Sequence, residues 1–203
     1  MPSPLPGKAA LAIHLIRHGE TEWSRSGRHT GSTDIALTEH GVQMARALAP
    51  LLAGVRFASV LVSPRQRAQD TCRLAGLGHA AQIEPDLAEW DYGDYEGLRS
   101  TEILAVRPDW DIWRDGCPGG ESPAAVSARA DRLVARLLTL PGDVAVFSHG
   151  HFGRVLTARW LQRPVDLGQH LILDPATLCV LDLDARHANV PVILRWNVSA
   201  SAA

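Results

Sequence analysis

Cysteine is scarce in this chain: Cys72, Cys117 and Cys179 are odd in number and widely spaced. This excludes a disulfide framework and leads to the expectation of reduced thiols in a cytoplasmic setting. No apolar run approaches the roughly 20 residues needed to span a bilayer. The opening stretch MPSPLPGKAALAIHLIRHG lacks a small-residue cleavage site, so it is read as leading into a first strand and not as a signal peptide. Charge of one sign is also missing. Twenty Lys and Arg oppose 22 Asp and Glu, a net of -2 with interspersed signs, which argues against nucleic acid or an anionic membrane as a partner. Aromatics make up only 5%, and there is no repeat or low-complexity tract. With 203 residues, 46% of them hydrophobic, residues 1–203 suit a single globular domain.

What the chain does contain is an alternation of strand-like and helix-like segments. Strands are expected at 11–16, 59–63, 144–148, 178–183 and 190–196. A helix opening at Thr38 and running to Leu52 carries Val42, Ala45, Leu48 and Leu52 near helical spacing, with Thr38 as N-cap. A second helix is expected over 64–74, opened by Pro64 and carrying Arg65, Arg67 and Thr71. A third, over 122–140, places Val126, Ala130, Leu133 and Leu137 on one stripe, with Arg129, Arg132 and Arg136 mostly opposite. The pattern predicts a three-layer α/β/α sandwich around a mostly parallel sheet. The last two strands are joined by the short segment DARHAN (184–189), too brief for a parallel crossover, so one late strand should be antiparallel.

Two apolar runs each end in His-Gly: Arg17-His18-Gly19 follows the first, and His149-Gly150 follows Val144 to Ser148. In a parallel sheet the carboxyl ends of strands form the ligand crevice, so the two histidines can face one another there. Arg17 and Arg67 join them as a cationic group with forked donors suited to a tetrahedral oxyanion, for which phosphate is the natural ligand. Helix N-termini after Ser63 and His149 are expected to add backbone N–H groups. Carboxyl candidates lie together at Glu89, Asp91 and Glu96, and spacing does not choose among them.

The motifs LIRHGETEW, GRHTGSTDIALTEHG, SPRQRAQDT, LAEWDYGDYEG, PGGES and SHGHFGRV occur in that order over nearly the whole chain. Together they resemble the histidine phosphatase superfamily, which includes the cofactor-dependent phosphoglycerate mutases; the likeness is greatest to small acid-phosphatase-like and sedoheptulose-bisphosphatase-like members. The resemblance implies a phosphoglycerate mutase-like fold and a phosphomonoesterase needing neither metal nor other cofactor. It implies that His18 is the nucleophile, that Arg17, Arg67 and His149 hold the phosphoryl oxygens, and that Glu89 is the proton donor. Asp91, Glu96 and Glu20 are then left to loop hydrogen bonds. The resemblance also puts Ser24, Thr30, Gly31 and Tyr92 beside the substrate, a small phosphomonoester such as a sugar phosphate, and implies a homodimer through a sheet edge. Ser24 stands where many members carry Asn, and Thr30 where Gln often precedes Gly. Trp23, Trp90, Trp110 and Trp113 flank the acid loop or the following insert, at least two of them expected in the core.

Competing classes fare worse. A mutase would carry Lys at the place of Ser100 and an adjacent Arg pair in a longer insert, whereas Arg107 and Arg114 are isolated. A metal site at His149 and His151 lacks the acidic continuation of a binuclear motif. Asp182 and Asp184 lie too near the C-terminus for an aspartyl-phosphate enzyme, and no cysteine has an Arg six positions on. A silent phospho-ligand binding module would be expected to lose His18, Arg67, Glu89 or His149, all of which are present.

Overall fold

Six strands form one sheet: β1 (Ile13–Arg17), β2 (Ser59–Val62), β3 (Ala81–Ile83), β4 (Val144–Ser148), β5 (Leu178–Asp184) and β6 (Val190–Val198). Their order across the sheet is β3-β2-β4-β1-β5-β6. The computed structural model describes residues 11–200, so the reading of the first ten residues lies outside it. β1, β2, β3 and β4 are parallel, and β5 runs against both of its neighbours, which is the single reversed late strand expected. The turn at 184–189 closes with Ala188 and Asn189 at φ 56° and 59°.

Alternation along the strands divides the interior into two layers, because successive side chains point to opposite faces. On one face Ile13, Leu15, Val144 and Val146 meet the stripe Val126, Ala130, Leu133 and Leu137 of α7 (Pro123–Leu137) and residues of α8 (Gly150–Trp160). On the other, Ile16, Ala145 and Phe147 pack with Leu48, Leu52, Ala68 and Cys72. Those residues come from the α2 (Glu39–Ala47) to α3 (Ala49–Leu52) segment and from α4 (Gln66–Leu74). Shorter helices α1 (Glu22–Ser26), α5 (Ser100–Val106) and α6 (Ile112–Asp115) lie in the connections. Trp90, Trp110 and Trp113 belong to the first layer of the core, at 0%, 7% and 8% exposure, and all three cysteines are buried and unpaired. No helix among the described residues is long and apolar enough to cross a membrane.

Two expectations need correction, and one strand was not foreseen. The helix expected from Thr38 to Leu52 is interrupted at Leu48, because Pro50 has no N–H to bond the preceding turn. α4 opens at Gln66 and not at Pro64: Arg65 is extended at φ -80°, ψ 135°, and the Gln66 N–H is taken by Asp34 Oδ1 at 2.9 Å. β3 was not expected, being three residues long with Gln82 and Ile83 exposed, so no periodicity marks it. In contrast, α7 begins where Ser122 accepts a hydrogen bond from the Ala125 N–H, with Pro123 in its first turn.

The loop after β1 is wedged in place. The Gly19 N–H donates to Thr71 Oγ1 at 3.0 Å, Thr38 N donates to Glu20 O at 2.9 Å, and Thr38 Oγ1 donates to Glu20 Oε1 at 2.7 Å. Glu20 thus orients this loop. At Gly41, in the first turn of α2, a Cβ would stand 2.1 Å from Glu20 O, so only glycine allows this approach. We expect Gly41→Ala to lower unfolding stability by about 1–3 kcal/mol, as overpacking does. A urea midpoint equal to that of the parent would show that the loop yields freely.

Candidate active site

Four parallel strands deliver their carboxyl ends to one edge of the sheet, and each is followed by a polar group at the crevice. β1 leads into Arg17 and His18, β2 into Ser63 and then Arg67 in the first turn of α4, β3 into the loop bearing Glu89, and β4 into His149. Arg17 is in register with Ser148 across the β1·β4 pair, and the His18 N–H donates to Ser148 O at 3.0 Å. The histidines therefore leave the sheet side by side, with ring centroids 5.2 Å apart.

Each imidazole is fixed by its second nitrogen. His18 Nδ1 lies 2.7 Å from Gly19 O; a carbonyl only accepts, so Nδ1 carries the proton and Nε2 presents a lone pair. His149 Nε2 is 2.7 Å from Ser63 Oγ. Burial, and then the charges of Arg67 and Arg17, hold His18 well below the ordinary histidine value; burial, followed by Arg67 and His18, does the same for His149. Both rings are neutral near pH 7.

The two arginines are anchored by carbonyls. Arg17 Nη1 donates to Leu173 O at 2.5 Å, while Arg67 donates from Nη1 to Thr33 O and from Nη2 to Thr30 O and Gly31 O. Burial opposes the charge on both guanidinium groups, and Glu89 favours it. Arg17 Nε, Arg67 Nε and His149 Nδ1 are three of the seven buried side-chain polar atoms without a partner among the described residues. Unmet buried polar atoms are costly, and the two guanidinium donors among these suit the oxygens of a tetrahedral anion.

Glu89 is held by backbone amides. Its Oε1 accepts from Trp90 N at 2.9 Å and Phe152 N at 2.7 Å, and its Oε2 accepts from His151 N at 3.0 Å. The α8 N-terminus thus binds this carboxylate, which corrects the expectation that its N–H groups face an incoming anion. The α4 N-terminus is likewise taken up, by Asp34 and Ser63. The other two carboxylates serve the loops: Asp91 Oδ1 accepts from Gly93 N, and Glu96 accepts from the N–H groups of Gly31 and Thr33.

A cavity of about 240 Å³ opens onto Arg17, His18, Ser24, Thr30, Glu89 and Tyr92. Arg67 and His149 are fully buried and lie outside its lining. Gly31 does not line it either, contrary to expectation; its N–H bonds Glu96 and its carbonyl Arg67, and a Cβ would meet Trp90 O at 2.8 Å. The Ser24 hydroxyl is engaged in the capping box of α1 with Thr21. Sequence reasoning missed Arg28, His29 and Arg154 as lining residues. His29 stacks on Tyr92 at 4.7 Å, and the Tyr92 hydroxyl lies 2.8 Å from His151 Nδ1. A usable signal existed for Arg154, which follows Gly150 by four residues on α8 and so shares its face.

The model of the histidine phosphatase superfamily (branch 1) matches residues 13–199. An acid phosphatase of Mycobacterium tuberculosis is 45% identical over 168 residues, covering 81% of this chain and 82% of that protein. A sedoheptulose 1,7-bisphosphatase of Saccharomyces cerevisiae is 35% identical over 178 residues, covering 72% and 66%. A solved structure of an open reading frame product of Mycobacterium tuberculosis superposes with a TM-score of 0.87 at 39% identity, over 93% of this chain and 98% of that one. Relatives further off include 2,3-bisphosphoglycerate-dependent phosphoglycerate mutases. The chain belongs to the histidine phosphatase superfamily, and its relatives include proteins named as phosphatases.

Burial gives the site a pH limit. His14, His18, His149 and His151 are held below their ordinary value of 6.5, and His29 is lowered to about 4, in each case chiefly by desolvation. Below pH 6.5 the unfolded chain binds more protons than the folded one, so this stability is present above 6.5 and lost as pH falls. Each such histidine contributes up to about 1.4 kcal/mol per pH unit. Urea midpoints should decline steadily from pH 7 to pH 5; a level profile would show that these rings are not held neutral.

Proposed function

We propose that this chain is a metal-independent phosphomonoesterase acting through a phosphohistidine on His18, with a small phosphomonoester, such as a sugar phosphate, as substrate. The observation that carries this reading is the fixed tautomer of His18, which leaves Nε2 a lone pair on the wall of a cavity that Arg17 also lines, beside His149 and the fully buried Arg67. A neutral imidazole attacks without first losing a proton. In the first half-reaction the Nε2–P bond forms and the bond from phosphorus to the leaving oxygen breaks, while Arg17, Arg67 and His149 stabilise the phosphoryl oxygens. Glu89 protonates the leaving oxygen, and the backbone amides of Trp90, His151 and Phe152 stabilise the carboxylate that results. In the second half-reaction Glu89 takes a proton from water as its oxygen attacks phosphorus, the N–P bond breaks, and inorganic phosphate leaves. Tyr92, on the cavity wall, is suited to hydrogen-bond the phosphate or the leaving group, and Ser24 and Thr30 shape the same wall.

A mutase is the alternative, favoured by the more distant relatives. Against it, Ser100 on the cavity wall stands where the resemblance puts the mutase lysine. The protein treated with a chelator is assayed against sugar phosphates, 3-phosphoglycerate and 4-nitrophenyl phosphate, with and without 2,3-bisphosphoglycerate. Phosphate release independent of the bisphosphate is expected; isomerisation that requires it would make the chain a mutase, and neither outcome would leave a binding module. His18→Ala should lower kcat by roughly 10³-fold or more and abolish the trapped phosphoenzyme. A His18→Ala protein as active as the parent would refute the nucleophile assignment.

A further inference from the structure

Helical spacing puts Arg129 among the outward arginines of α7, yet its side chain is only 11% exposed and turns toward the acid loop. It makes five hydrogen bonds. Nη1 donates to Asp86 O and Ala88 O, both at 2.8 Å, and Nη2 donates to Glu89 O at 3.2 Å. Nε and Nη2 grip the Glu121 carboxylate at 2.9 and 2.6 Å, a bidentate pair. Glu121 continues the grip: Oε2 accepts from Asp91 N at 3.0 Å, and its carbonyl accepts from Trp90 Nε1 at 3.0 Å. The guanidinium also lies 4.2 Å over the ring of Phe152, whose own N–H bonds Glu89 Oε1. The backbone from 86 to 91 is therefore held on both sides of Glu89 by a single ion pair, which neither touches the Glu89 carboxylate nor lines the substrate cavity.

We propose that Arg129 and Glu121 are a positioning pair that sets Glu89 for proton transfer, a role resting on the proton-donor assignment made above. Three carbonyls of one loop converge on a fork of fixed geometry, so the pair specifies where the Glu89 side chain starts. Lysine at 129 would keep the charge but lose the fork. Misplacing an acid should harm substrates whose leaving oxygen needs a proton and largely spare those whose leaving group departs as a stable anion.

The test compares kcat/KM for an alkyl phosphomonoester, glycerol 2-phosphate, with kcat/KM for 4-nitrophenyl phosphate in Glu89→Gln, Glu121→Gln, Arg129→Lys and Arg129→Gln. For each ester kcat/KM spans substrate binding and phosphorylation of His18 and excludes the later dephosphorylation, which both esters share. Within the range for general-acid catalysis, the Arg129 and Glu121 variants should lose at least about tenfold on the alkyl ester and at most about threefold on the aryl ester. In the Glu89→Gln background, Glu121→Gln should cost no more than about twofold on the alkyl ester, since residues acting as one unit are not additive. Should Arg129→Gln fail to fold, Glu121→Gln, which keeps a neutral hydrogen-bond partner, carries the comparison. Equal losses on the two esters in folded Arg129 and Glu121 variants, with Glu89→Gln selective, would overturn the pair alone. A Glu89→Gln protein that treats both esters alike would overturn the donor assignment and the pair with it.

Discussion

The register between β1 and β4 is the constraint on which the site depends. Because the two strands are parallel and adjacent, Arg17 opposite Ser148 forces the next residues, His18 and His149, to emerge together. The further bond from His18 N to Ser148 O continues the ladder one step beyond the strands. A slip of one residue would send every side chain of β1 to the opposite face. Ile13, Leu15 and Ile16 are completely buried between two different layers, so the cost of such a slip is a large part of the core. The geometry of the chemistry is in this sense fixed by hydrophobic packing.

Electrostatics then set the character of the site. Arg67 is a buried cation and Arg17 a partly buried one, both anchored by main-chain carbonyls, and Glu89 is the carboxylate of the cavity wall. Carbonyl anchors orient a guanidinium without neutralising it, which leaves its charge for an incoming anion. The helix N-terminus that a phosphate would ordinarily occupy is given to Glu89 instead. That exchange places the Glu89 carboxylate against the first turn of α8, on the N–H groups of His151 and Phe152, and leaves the binding of an anion to side chains.

Much of this was legible in the sequence, for identifiable reasons. β1, β2, β4 and β5 are apolar runs buried by two layers, and the His-Gly pairs mark where β1 and β4 end. Ser122-Pro123 and the stripe of α7 were readable because capping and helical period are local. Glu89 could not be chosen over Asp91 and Glu96 by spacing, since what distinguishes it is contact with amides on α8, 62 and 63 positions away. β3 and the break at Leu48 escaped for opposite reasons: the first has no pattern, while the pattern of the second persists across a proline. Arg129 was misplaced because a stripe has edges. It lies three residues after Val126 and four before Leu133, beside the buried face and not opposite it.

The side chains of the candidate site and their supports are thus encoded differently. His18, Arg17 and His149 are attached to strands whose placement follows from apolar periodicity, whereas Glu89 sits on an irregular loop with no periodicity to place it. A loop needs its backbone groups satisfied from elsewhere, and here Arg129 on α7 donates to the carbonyls of Asp86 and Ala88, while the α8 N-terminus donates to the Glu89 carboxylate. Each half of the acid's surroundings is supplied by a helix of the same layer, and α7 and α8 pack on each other. Substitutions in that helix interface therefore reach Glu89 without touching the cavity, while those in the opposite layer reach His18 through Gly19, Thr71 and α2. The two halves of the chemistry rest on the two faces of one sheet.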